Sequence, residues 1–114
     1  IVIDQICIGT YGVFSIESMA LGKPVIVYIN EKMQKTFPPE LPLISADKNN
    51  LKEQIEKLLD DAEARYLLGV KGRQYAEKYH DCCKNAKVLA EIYKGKCPVL
   101  EGADAFTYAG NFQK

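Results

Sequence analysis

The sequence predicts an α/β fold: a parallel sheet of about three strands with flanking helices, half of an ordinary doubly wound domain. Three apolar, largely β-branched stretches, "IVIDQICI", "PVIVYI" and "LISA", punctuate the first half of the chain. An apolar stretch of helical length separates the first two, and helical periodicity fills the chain after the third. "PVIVYI" is moreover continuously apolar rather than alternating, the pattern of a parallel strand covered on both faces.

Taken in order, "IVIDQICI" (1–8) reads as a buried strand that can stop near Asp4 and that runs into the glycine loop "GTYG". From Val13 to Leu21 apolar residues cover nearly the whole helical wheel, so this helix is expected to be mostly buried, and Gly22 followed by Pro24 stops it. Pro24 to Ile29 is the second strand. "NEKMQKTFPPELP" (30–42) holds three of the five prolines and reads as a loop with room for one helical turn. "LISA" (43–46) is the third strand.

Leu51, Ile55, Leu58 and Leu59 then keep helical spacing, with Asp47 or Asn49 as N-cap and Glu53 four residues before Lys57. "DAEARYLLGVKGRQYAEKYH" continues helically. Its Gly69 and Gly72 each cost roughly 1 kcal/mol against alanine, and close approach of another element explains keeping them. Asp81 can cap a last helix with Cys83, Ala86, Leu89, Ala90 and Tyr93 as its buried stripe. The first 94 residues therefore form one partial domain and 95–114 an irregular tail.

Composition narrows the function classes. The 114 residues are 47% hydrophobic and 26% charged with zero net charge, which offers neither nucleic acid nor an anionic membrane a basic footprint. No apolar run reaches the roughly 20 residues of a membrane span, and no signal peptide opens the chain, so a cytoplasmic location is expected. The chain starts without methionine inside an apolar run, as a fragment would, and a fragment's first strand would carry an open edge prone to self-association. The four cysteines (Cys7, Cys82, Cys83, Cys97) have no zinc spacing and read as reduced structural thiols; no metal is expected. The single histidine, His80, reads as a cation closing a helix end rather than as a catalytic group.

One acid stands out. Glu17 is the lone carboxylate of "YGVFSIESMALGKPVIVYI", and a buried carboxylate needs a partner. The loop "ICIGTYG" leaves a strand at the carboxyl edge of the sheet, where ligands of open parallel sheets gather. Gly12 and Val13 can offer N–H groups to a phosphate at the helix start, and Gly9 and Gly12 remove side chains where a ligand would touch backbone. Two glycines at such a turn also serve packing alone. About one turn farther on, Glu17 can accept two ribose hydroxyls, and phosphate with ribose describes a nucleotide. The alternative places Glu17 on an exposed helix edge with Ser15 and Ser18.

"GTYGVFSIESMALGKPV" (9–25) resembles the donor-binding segment of the group 1, or family 4, glycosyltransferases: a glutamate, seven residues, a second glutamate, then a small-residue helix ending in glycine and proline. "LGVKGRQYAEKYHD" is similar to that family's closing helix. The resemblance implies that the chain is the second half of the carboxyl-terminal, Rossmann-like domain of a GT-B fold. It implies transfer of a sugar from a nucleotide-diphosphate donor to an acceptor hydroxyl, with retained configuration and without a cofactor. Glu17 falls on the ribose-holding glutamate; Tyr11, Gly12 and Val13 fall where backbone meets sugar and diphosphate; Phe14 falls beside the nucleoside. Gly9 stands where the family has its first glutamate, with Thr10 after it, so Asp4 and Gln5 are left to take over sugar contacts, unless Asp4 only caps or turns the chain. The missing amino-terminal part of such an enzyme would supply the basic pair and the acceptor side, and this chain alone would be inactive. Other functions open to the sequence are a nucleotide-sugar epimerase of the same architecture and a non-catalytic α/β interaction domain.

Overall fold

A computed structural model describes residues 1–96. Its elements are β1 (Val2–Ile3), α1 (Val13–Ala20), β2 (Val25–Val27), α2 (Glu31–Gln34), β3 (Ile44–Ser45), α3 (Leu51–Asp60), α4 (Ala62–Tyr79) and α5 (Cys82–Tyr93). They fall into two compact units, Ile1–Asp81 and the segment from Cys82 onward.

In the first unit the three strands form one parallel sheet in the order β1-β2-β3, as the sequence order implies. Val2 lies opposite Val25, Ile26 opposite Ile44 and Val27 opposite Ser45. Central β2 is fully buried, and its alternation sends successive side chains into two cores. Val25 joins Met19, Tyr75 and Ala76 on one face, while Ile26 joins Ala46 and Leu58 on the other. Burying side chains of this size stabilises the fold by roughly 1.5–3 kcal/mol each.

The first strand is shorter and more open than its composition implies. Ladder bonding ends where the Asp4 N–H meets the Ile26 carbonyl at 2.9 Å and the Tyr28 N–H meets the Gln5 carbonyl at 3.0 Å. Ile1, Ile3 and Ile8 are 40%, 44% and 66% exposed. Among the described residues β1 is an edge strand with one paired neighbour, and past Asp4 the chain leaves the sheet.

Helix α1 also departs from expectation, since it is far from mostly buried. Ser15, Ser18 and Met19 are buried, whereas Val13, Phe14, Glu17 and Leu21 are exposed. At 100° per residue these four share an arc of about 100°. The inward arc is chosen by contacts: the Ser15 hydroxyl donates to Asp4, and Met19 lies against Gly72 of α4. The apolar residues on the opposite arc are therefore left outside. The helix ends in a Schellman turn, with Gly22 at φ +68°, its N–H on the Met19 carbonyl at 2.9 Å and the Lys23 N–H on the Ser18 carbonyl at 3.0 Å.

Asn30 caps the single turn α2 by accepting from the Met33 N–H at 2.9 Å. At α3 the N-cap position belongs to Asn50 rather than Asp47 or Asn49, while the Asp47 carboxylate accepts the N–H groups of Asn49 and Asn50 at 2.8 and 3.2 Å. The helical pattern breaks at Asp61, which ends α3 and caps α4 by accepting from the Ala64 N–H at 2.8 Å. Gly69 and Gly72 do permit close approach: a methyl on Gly69 would overlap the Gly22 carbonyl, and one on Gly72 would come within 3.3 Å of Met19.

In the second unit α5 has no buried residue, so Cys83, Ala86, Leu89, Ala90 and Tyr93 are exposed instead of forming a buried stripe. Among the described residues of this unit α5 is the one helix. The rest of the tail, with Cys97, lies outside the described residues. No helix among the described residues is long and apolar enough to cross a membrane.

Candidate functional site

The loop 4–12 runs from the carboxyl end of β1 to the start of α1 and rests on the next loop along the same edge of the sheet. The Gly9 carbonyl accepts from the Asn30 N–H at 2.9 Å, just past β2. Gly9 has φ +91°, and a Cβ there would lie 2.6 Å from the Asn30 amide nitrogen, so both conformation and space call for glycine. Packing thus accounts for Gly9 without a ligand. Gly12 takes the N-cap position of α1, where no side chain caps the helix and no acid occupies the first turn. The helix start therefore has N–H groups with no side-chain cap, beside the Asp4 carboxylate that meets Ser15.

The other candidates divide by their surroundings. Asp4 accepts the buried Ser15 hydroxyl at 2.5 Å, which ties the end of β1 to the first turn of α1. Exposed Gln5 reaches toward the loop's end, its amide nitrogen 3.4 Å from the position of a Cβ on Gly12, and Thr10 is half-buried. Val13, Phe14 and Glu17 stand on the exposed arc of α1. The Glu17 carboxylate is exposed rather than buried, so no desolvation penalty obliges it to find a protein partner, and Ser15 and Ser18 do not share its edge.

Tyr11 turns its side chain toward the end of α4. Its hydroxyl lies 3.2 Å from Nε2 of His80 and 3.4 Å from the Tyr75 hydroxyl, and its ring packs 4.9 Å from that of Phe37. Burial raises the Tyr11 pKa, partly offset by the Tyr75 hydrogen bond. Burial, reinforced by the hydrogen bond to Tyr11, carries the Tyr75 phenol well above its ordinary range. Burial also lowers the His80 pKa and so disfavours the charged form of the ring. His80 does close α4, its backbone N–H on the Ala76 carbonyl at 2.9 Å, while its ring turns to Tyr11, in surroundings that disfavour the cation expected there. The spacing of Tyr11, Tyr75 and His80 gives no sign in the sequence that they meet; only the antiparallel run of α4 against α1 brings them together.

Beside this cluster, Glu40 accepts from Lys78 at 2.7 Å and from the Tyr79 hydroxyl, which hold its carboxyl down at about 2 and raise the Lys78 ammonium. This pair borders a groove of about 580 Å³ between Pro39–Leu43 and α4, lined by Leu68, Lys71, Tyr75 and Tyr79 but by no residue of the 9–14 segment. Among the described residues no three His, Cys, Asp or Glu side chains converge as metal ligands.

No family model, curated protein or solved structure matches this chain.

Proposed function

We propose that this chain binds a nucleoside diphosphate group at the start of α1 and serves as the donor-binding part of a glycosyltransferase of the GT-B class. The observation that carries the reading is the exposed arc of α1. Glu17 stands uncovered there with Val13 and Phe14 just ahead of it, one turn beyond the uncapped helix start. A diphosphate would take the Gly12 and Val13 N–H groups and the helix dipole. Glu17 would accept the two ribose hydroxyls, and the apolar surface of Val13 and Phe14 would meet the nucleoside.

Catalysis on this reading rests on stabilising the departing diphosphate, with the N–H groups preorganised where negative charge develops. Asp4 has a structural partner in Ser15, so sugar contacts from the end of β1 fall to Gln5, whose amide already faces Gly12. The acceptor side would come from outside this chain.

A second reading follows from the same surface. Ile8, Val13, Phe14 and Leu21 are all more than half exposed, which suits an α/β domain that docks a protein partner through α1. Calorimetric titration with UDP, GDP and ADP separates the two. Saturable binding of one of them, weakened at least tenfold in Glu17→Ala, supports the nucleotide site. No binding of any of the three favours the interaction domain.

A further inference from the structure

We propose that His80, assisted by Tyr75, is a positioning residue that acts through the Tyr11 hydroxyl to hold the Gly9–Val13 loop with its N–H groups directed at the anion. The role in binding rests on the nucleotide reading above; the restraint on the loop is a property of the fold.

The loop is short of anchors of its own. Gly9 and Gly12 bracket it and contribute no side chain, and the Gly9 carbonyl accepts from the Asn30 N–H. Between them Tyr11 is the large side chain, and it makes three contacts on two separate segments. Its hydroxyl meets His80 at 3.2 Å and Tyr75 at 3.4 Å, both at the carboxyl end of α4, while its ring lies on Phe37 beyond α2. The His80 ring also meets the Tyr11 ring edge-on, at 5.9 Å and 89°.

In the tautomer that leaves Nε2 unprotonated, the His80 ring accepts the Tyr11 hydroxyl proton, and the Tyr11 oxygen is then left to accept from Tyr75. Tyr75 is itself fixed, 4% exposed in the core and 4.6 Å from the Tyr79 ring, and Tyr79 is bonded to Glu40 beside Lys78. The clamp is thus anchored in the packed face of the sheet and reaches the loop one residue before the N-cap of α1. An N–H pair aimed at an anion gains affinity from being held before the ligand arrives, because the ordering cost is then already met by folding.

The test compares Tyr11→Phe, Tyr75→Phe, His80→Ala and His80→Gln with the unmodified chain. Backbone ¹⁵N order parameters are read for Gly9–Val13 and for Val25–Val27, and UDP, GDP and ADP are titrated singly. Glutamine carries a side-chain oxygen that can accept the Tyr11 hydroxyl, so it preserves the contact. Tyr11→Phe and His80→Ala should lower the loop order parameters from about 0.85 to below about 0.6 while Val25–Val27 stay rigid. The same two variants should weaken nucleotide binding about tenfold, Tyr75→Phe should do so less, and His80→Gln should stay near the unmodified chain. Loop order unchanged in Tyr11→Phe and His80→Ala would overturn the clamp, as would equal losses in His80→Gln and His80→Ala, or a loss of order that spread to Val25–Val27. Absence of binding by the unmodified chain would overturn the nucleotide reading, and with it the loop's part in binding, even where the order parameters change as expected.

Discussion

Gly69 of α4 lies against the backbone of Gly22, so close that a methyl group on Gly69 would overlap the Gly22 carbonyl oxygen. The obstacle is backbone at a left-handed turn with φ +68°, which cannot step aside as a flexible side chain can. Gly69→Ala should therefore destabilise the chain by about 1–3 kcal/mol in spite of alanine's better helix propensity. At Gly72 the nearest atoms belong mainly to the Met19 side chain at 3.3–3.4 Å, which can shift by a few tenths of an ångström. Gly72→Ala should fall within about 1 kcal/mol of the unmodified chain, because strain and helix propensity offset. Urea unfolding of the two variants checks the contrast, and equal midpoints would contradict it.

Gly9 faces a double constraint, a φ of +91° and the Asn30 side chain at 2.6 Å from a built Cβ. Gly9→Ala should cost about 1–3 kcal/mol, measured by thermal or urea unfolding. In a double-mutant cycle that subtracts the loss of the Asn30 cap on α2, pairing it with Asn30→Ala should recover the steric part and leave the conformational part.

The Ser15 hydroxyl is fully buried and donates to Asp4 at 2.5 Å. Ser15→Ala should destabilise by about 1 kcal/mol, the usual net contribution of one hydrogen bond, because half-buried Asp4 can turn to water. Ser15→Val, which enlarges the side chain at a fully buried site, should cost more.

His80 sets a pH dependence. Burial lowers its folded pKa below the ordinary 6.5, so between those two values the unfolded chain binds the extra proton and the folded chain does not. Stability should consequently be full above about pH 6.5 and decline as the pH falls through that value toward the folded pKa. His80→Gln should remove this part of the decline. The remaining acid sensitivity below about pH 4.5 includes Glu40, whose carboxyl is held down at about 2 by Lys78 and Tyr79. Melting temperatures of both chains between pH 5 and 8 test the assignment.

Much of the architecture is legible in the sequence because it depends on local signals. "PVIVYI" announces a central parallel strand, Gly22 and Pro24 announce the end of α1, and Gly69 and Gly72 announce a close helix contact. What depends on tertiary choice is not legible. The wheel of α1 is apolar nearly all round, so the sequence cannot say that Ser15 and Ser18 face inward while Val13 and Phe14 face out. Nor can periodicity alone tell that the α5 stripe stays exposed, since a pattern records the capacity to pack and not the presence of a partner. The Tyr11–His80 contact joins residues 69 apart, and the burial that lowers the His80 pKa comes from the tertiary fold and not from its position at a helix end.

The most direct measurement is a cycle in which the unmodified chain and Glu17→Ala are each titrated with a ribonucleoside diphosphate and with its 2′,3′-dideoxy counterpart. If Glu17 holds the ribose, the unmodified chain should prefer the ribonucleotide by at least tenfold, about 1.4 kcal/mol, and Glu17→Ala should bind both equally. A preference that survives in Glu17→Ala, or equal binding of both ligands by the unmodified chain, would contradict the account.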